Sequence, residues 1–135
     1  MITEWKYVKP LTSEEKIKEF EDTVKFNLPE DFKKCVVQNN GGRPNLRTFD
    51  TDKEKERSFK SIFSFNTEDR ETVWKTLDAC EEELSDKYVA FGIDNFGNLI
   101  CFDRKNSNVI FLDVETLNTE YIAPTFSDFL DKLYE

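Results

Sequence analysis

From Lys87 to Val114 the sequence repeats one pattern three times. The runs KYVAFGI, NLICFD and NVIFLDV alternate apolar and other side chains with a period of two, as a β-strand requires. The linkers DNFGN and RKNS are too short for a crossover, so neighbouring strands must run antiparallel. EYIA, at 120–123, suits a short fourth strand. A meander of this kind excludes a doubly wound parallel fold and leaves room for helices only before, between and after the strands.

Helical spacing appears where that reasoning allows it. In LTSEEKIKEFEDTVKFNLP, Ile17, Phe20 and Val24 form one apolar stripe, with Thr12 as expected N-cap and Glu15 completing a capping box. Pro29 ends this helix, because the residue before a proline is pushed out of the α region. It then opens a second helix, PEDFKKCVVQNNGG, at the first position. Phe32, Cys35, Val36 and Asn39 mark the inner face, and Gly41 or Gly42 supplies the left-handed end. Residues 43–57 are densely charged without periodicity and read as a mobile loop. SFKSIFSFN places Phe59, Phe63 and Phe65 on one side of a strand, and residues 68–84 return to helical spacing with Val73, Trp74, Leu77, Cys80 and Leu84 inward. PTFSDFLDKLYE is a last helix capped by Thr125, with Phe126, Phe129, Leu130 and Leu133 facing the core. The expectation is one α+β domain over residues 1–135: a mainly antiparallel meander packed against N-terminal, middle and C-terminal helices.

Thirteen phenylalanines and two tryptophans provide the core of a chain of 135 residues, which at that size buries about two-thirds of its unfolded surface. Cys35, Cys80 and Cys101 are an odd number at spacings that fit neither a zinc site nor a disulfide framework. The opening MITEWKYVKPLTSEEK lacks the order of a signal peptide, and no apolar run approaches bilayer length. A reduced, cytoplasmic protein without membrane insertion is expected.

The absence of histidine removes Ser-His-Asp and Cys-His nucleophiles and histidine-bound metals. No phosphate loop is present either. Carboxylate chemistry would remain, and Asp94 with Asp103 is the pair to consider. However, Asn95, Gly97 and Asn98 are residues that accept the positive φ of a tight turn, and Asp94 suits capping that turn. A calcium loop would need further carboxylates at alternate positions. The expectation is a hairpin turn, with no catalytic residue, cofactor or metal.

Charge is uneven. Residues 1–60 carry 13 Lys/Arg against 12 Asp/Glu, whereas residues 61–135 carry 6 against 16. That half repels phosphates and so disfavours nucleic acid, while it attracts a basic protein. If 68–84 is one helix, Glu68, Glu71, Asp78 and Glu82 form a single outward stripe, with Asp86 just beyond it. These five are the expected partner-binding residues.

IKEFEDTVKFNLPEDFKKCVVQNNGG resembles the opening of the SUKH superfamily, named for the Smi/Knr cell-wall regulators and the Syd and US-type proteins. The shared pattern is a helix, a Leu-Pro pair, an acidic-aromatic helix start and an Asn-Gly-Gly end. SIFSFNTED, YVAFGIDNFGNLICFDRKNSNVIFLDVE and IAPTFSDFLDKLY resemble its later parts in order. Leu112 and Val114 depart from the Trp and His frequent in relatives. The resemblance implies that Leu28, Pro29, Gly41, Gly42, Asp94, Gly97 and Asn98 determine the fold. It also implies a non-enzymatic immunity protein that neutralises a toxin, often a nuclease, by binding; the alternative is a regulatory scaffold of the same fold.

Overall fold

The computed structural model describes residues 1–135. The chain runs through β1 (Trp5–Lys6), α1 (Glu15–Val24), α2 (Glu30–Asn39), β2 (Arg43–Pro44), β3 (Thr48–Phe49), β4 (Arg57–Ser58) and β5 (Ser61–Ile62). It continues through α3 (Val73–Ala79), α4 (Glu81–Leu84), β6 (Tyr88–Ile93), β7 (Leu99–Asp103), β8 (Val109–Leu112), β9 (Thr119–Ala123) and α5 (Phe126–Lys132). Strands β5 to β9 form one antiparallel sheet in chain order, and β1–β2 and β3–β4 are separate short ribbons. The architecture is a single α+β domain.

The sheet is more deeply buried than strict alternation implies. All four residues of β8 and the first four of β7 are buried. Successive side chains point to opposite faces, so both faces of the central strands are covered. The register between β6 and β7 shifts between Ala90 and Gly92. This bulge leaves Phe91 unpaired, and its ring stacks on Phe102 at 4.5 Å. Phe32 of α2 meets the rings of Phe65, Phe91, Phe102 and Phe126 at 5.0–6.2 Å between centroids. One side chain thereby joins α2, the residues after β5, two central strands and α5.

Local signals place several ends correctly. Thr125 caps α5 by accepting a hydrogen bond from the Asp128 N–H at 3.0 Å. Gly41, at φ +69°, follows α2. Gly97, at φ +90°, lies in the β6–β7 turn. Asp94, only 3% exposed, accepts the N–H groups of Phe96 and Asn98, each at 2.8 Å.

Elsewhere tertiary bonds displace local ones. Thr12 does not cap α1: its N–H and hydroxyl both donate to Asn66 Oδ1 at 2.9 and 3.1 Å, and the helix starts at Glu15. Pro29, at φ −57° and ψ 143°, sits one position before the first residue of α2. The 59–65 segment forms only a two-residue strand, and Ser61, Ile62 and Ser64 are buried along with the three phenylalanines, so only Lys60 of the segment reaches water.

Residues 68–84 are not one helix. Ser64 donates its N–H to the Glu71 carbonyl, and the Val73 N–H returns to Ser64, which holds residues up to Thr72 against the chain after β5. Thr72 then caps α3, and Cys80, at φ −115° and ψ 30°, separates α3 from α4. The 43–57 segment is likewise pinned rather than loose. Thr48 and Tyr134 exchange two backbone hydrogen bonds at 2.9 Å, and buried Phe49 packs on Phe129 at 5.6 Å. Asp52 pairs with Tyr121 through its N–H and its carboxylate. The Arg57 guanidinium makes two 2.8 Å bonds to Glu120 and lies 4.0 Å from the Phe111 ring centroid.

Two outcomes follow from these bonds. A Cβ added at Gly97 would meet nothing within 4 Å, so any penalty there comes from the backbone. Gly97→Val lowers the unfolding free energy in urea by about 1–2 kcal/mol, and Gly97→Asn lowers it less. Hydrogen bonds from Arg57 hold the Glu120 carboxyl below the ordinary glutamate range. A lowered folded-state pKa stabilises the fold above the unfolded-state value of about 4.3, and this is lost as the pH falls through the folded-state value. Glu120→Gln therefore costs about 2 kcal/mol at pH 7, and its gap from wild type narrows as denaturation is repeated below about pH 4.

Candidate functional site

The five acidic residues singled out in the sequence separate into two groups. Glu68 and Glu71 precede α3, whereas Asp78 lies on α3, Glu82 on α4 and Asp86 in the turn leading to β6. The expected single-helix stripe is therefore broken at Thr72 and again at Cys80. Glu71 is committed to an ion pair with Lys60, at 2.9 Å, while Glu68, Asp78, Glu82 and Asp86 are exposed. Between Asp78 and Asp86 the chain carries five carboxylates and no cation. Asp78 and Glu81 share a shallow hollow with Trp74 and Leu77. This corner is a concentrated negative surface.

Glu68 and Glu71 instead border a groove of about 530 Å³, together with Arg43, Lys60, Asp69 and Arg70. Its walls mix both signs, and its floor is a polar network absent from the sequence-based expectation. Asn40 donates to the Lys9 carbonyl at 2.8 Å and to Ser64 Oγ at 3.0 Å, and accepts from the Phe65 N–H at 2.8 Å. Ser64 Oγ donates to Asp69 at 2.6 Å and accepts from Asn40 and from the Asn66 N–H. Asn66 closes the network on Pro10, Thr12 and Asp69. A hydroxyl has one donor and two acceptor positions, so Ser64 is saturated. The pair Ser64–Asp69 is a brace for the groove floor: Ser64 is buried, and all three of its hydroxyl positions are taken by protein partners. Polar residues inside the Phe-rich run SFKSIFSFN were the available signal.

Other reactive groups are similarly occupied. Burial pushes the Cys35 thiol up to about 11 and raises those of Cys80 and Cys101, which keeps all three protonated near neutral pH. Asp94 is bonded within its own turn, and Asp103 accepts from the Lys105 N–H at the far end of β7. The five-residue strand separating them spans about 15 Å, so these carboxylates do not face one cleft. No three Asp, Glu or Cys side chains gather as a metal-binding group. Glu21, buried on α1, accepts from the Leu28 N–H at 2.7 Å and lies 3.4 Å from Lys33 Nζ, which fixes the α1–α2 corner beside Pro29.

The residues named for the fold hold the site's frame. Leu28 is buried beneath that corner. A side chain at Gly42 would come within 2.9 Å of the Asn39 carbonyl and 3.1 Å of Trp5, so the close approach of β1 to the end of α2 needs a glycine. Asn98 donates its N–H and side-chain amide to Asp94 and accepts the Val114 N–H at 3.2 Å, which joins the β6–β7 turn to the β8–β9 turn.

No curated protein matches the chain. The family described as SMI1 / KNR4 family (SUKH-1) matches residues 11–132, from the approach to α1 through the whole five-stranded sheet to the last residue of α5. With nearly the whole domain matched, the chain belongs to the SMI1/KNR4 family, SUKH-1.

Proposed function

We propose that this protein is an immunity protein that binds a cognate bacterial toxin, a basic nuclease domain, and neutralises it by protein–protein contact. Membership of a generally non-catalytic family that is consistent with the immunity type carries the proposal. The surface adds support. The corner from Asp78 to Asp86 concentrates negative charge on a half that carries 16 acidic and 6 basic residues. Such a field favours a basic protein and disfavours nucleic acid. No helix is long and apolar enough to cross a membrane.

In this reading Asp78, Glu82 and Asp86, with Glu68 on the groove wall, accelerate encounter. Exposed charges at the rim act on association more than on lifetime. Glu71 contributes less, because Lys60 already neutralises it.

The direct test is to search beside the gene for a large secreted protein and to express the C-terminal domain of the one found; a gene neighbourhood without one counts against the proposal. That domain is expected to co-purify with this protein and to lose its nuclease activity in the complex; an active, unbound domain would overturn the proposal. The triple variant Asp78→Lys, Glu82→Lys, Asp86→Lys should associate about tenfold or more slowly at low salt. The difference should fade at high salt, with dissociation nearly unchanged. Equal association rates at low salt would remove these residues from the encounter surface.

A further inference from the structure

Leu117 occupies a position that the fold alone does not explain. Six non-glycine residues have positive φ. Lys25, Glu56, Ser85 and Ser107 are polar, and Tyr7 has Arg43 stacked over its ring at 5.1 Å. Leu117, at φ +65°, is the one aliphatic residue among them, and the residue is 55% exposed. A left-handed conformation costs an ordinary residue about 1–2 kcal/mol, which glycine avoids. An exposed leucine therefore spends backbone energy without recovering it by burial. Strain of this kind is retained where a side chain has a task beyond the fold.

Phe96 stands on the adjoining turn and is 83% exposed. The Asn98–Val114 hydrogen bond ties its turn to that of Leu117. Both turns are internally fixed. Asp94 holds the N–H groups of Phe96 and Asn98, and Asp113 holds those of Glu115 and Thr116 at 2.9 and 3.1 Å. The Leu117 N–H donates to the Asp113 carbonyl at 2.8 Å. Two large apolar side chains are thus displayed on a frame already ordered before any partner arrives, which reduces the entropy cost of binding.

The charge around them has one sign. Residues 94–98 and 113–118 include no lysine or arginine; Asp113 and Glu115 reach the surface there, while Asp94 is buried within its turn. Hydrogen bonds from the N–H groups of Thr116 and Glu115 hold the Asp113 carboxyl below its usual range, so it stays ionised. Arg57 and Lys60, the cations on the neighbouring chain, are paired with Glu120 and Glu71. The surface is an apolar pair within a negative rim, complementary to an apolar hollow ringed by lysine or arginine.

Resting on the immunity reading, we propose that the tips of the β6–β7 and β8–β9 hairpins grip the basic toxin domain, with Phe96 and Leu117 as its anchors. The acidic corner after α3 lies at the other end of β6, about 20 Å away along six residues of strand. The corner sets how fast the partner arrives, and the tips set how long it stays.

The experiment compares Phe96→Ser, Leu117→Gly and the double variant with wild type, using as probe the toxin domain that the search of the neighbouring genes supplies. Each single variant is expected to dissociate at least about tenfold faster, and the double variant faster still, with association at low salt nearly unchanged. In thermal unfolding without toxin, Leu117→Gly should be as stable as wild type or more stable. A clear fall in its midpoint would assign Leu117 a structural role and overturn the proposal. Wild-type lifetimes in all three variants would overturn it too, while leaving the immunity reading intact. Failure of the wild-type protein to bind the domain would overturn both.

Discussion

The rest of the structure depends on the Phe32 ring. It is fully buried and touches four other aromatic rings drawn from separate parts of the chain. Three of the four rings meet it at centroid distances of 5.0–5.3 Å, two of them edge-to-face, the arrangement favoured by the aromatic quadrupole. Through Phe91 and Phe102 the ring sets where α2 lies on the sheet, and through Phe126 it sets where α5 lies. The bulge at Phe91 belongs to this constraint, because a regular register would leave no extra residue to supply the stacked ring. The site then follows: with α2 fixed, its end brings Asn40 onto Ser64, and the groove floor forms.

The buried polar groups and the exposed apolar groups have opposite roles. Asn40, Ser64, Asn66, Thr72 and Asp94 are buried, and their side chains complete one another or nearby backbone groups. They organise loops that a smaller core would leave unsettled. Phe96 and Leu117 lie outside such satisfaction, on turns whose backbone is nonetheless fixed. Side chains at the tip of a rigid hairpin can change without disturbing the core, which is how one fold can serve different partners.

What could be read in the sequence was local. The meander, the Thr125 cap and the turn at Gly97 rest on residues within a few positions of one another, and they occur as expected. The misplaced features have distant causes. Thr12 has all the chemistry of an N-cap, but bonds to Asn66, 54 positions away, hold it outside the helix, which starts only at Glu15. Residues 43–57 lack periodicity because their order comes from Glu120, Tyr121 and Tyr134 across the fold. The helical spacing from 68 to 84 is real in composition, yet the backbone bonds of Ser64 claim its first turn. For the candidate site, the acidic residues were legible as charges, but their division between groove and corner was not. Exposed Phe96 was hidden for a different reason: periodicity marks a phenylalanine as apolar without saying whether anything covers it.

The backbone exchange between Thr48 and Tyr134 bears on how the protein is made. Phe49 and Phe59 both pack on Phe129, and Phe91 packs on Phe126 and Phe129. During synthesis Phe49 and Phe59 lack their Phe129 partner, and Phe91 lacks two of its four ring neighbours, until α5 is made. This side of the core therefore needs α5 to be complete, through long-range contacts that are slow to find. A ribosome that stalls before Phe126 would hold a chain with its strands written and its aromatic surface open, a natural client for chaperones and proteases.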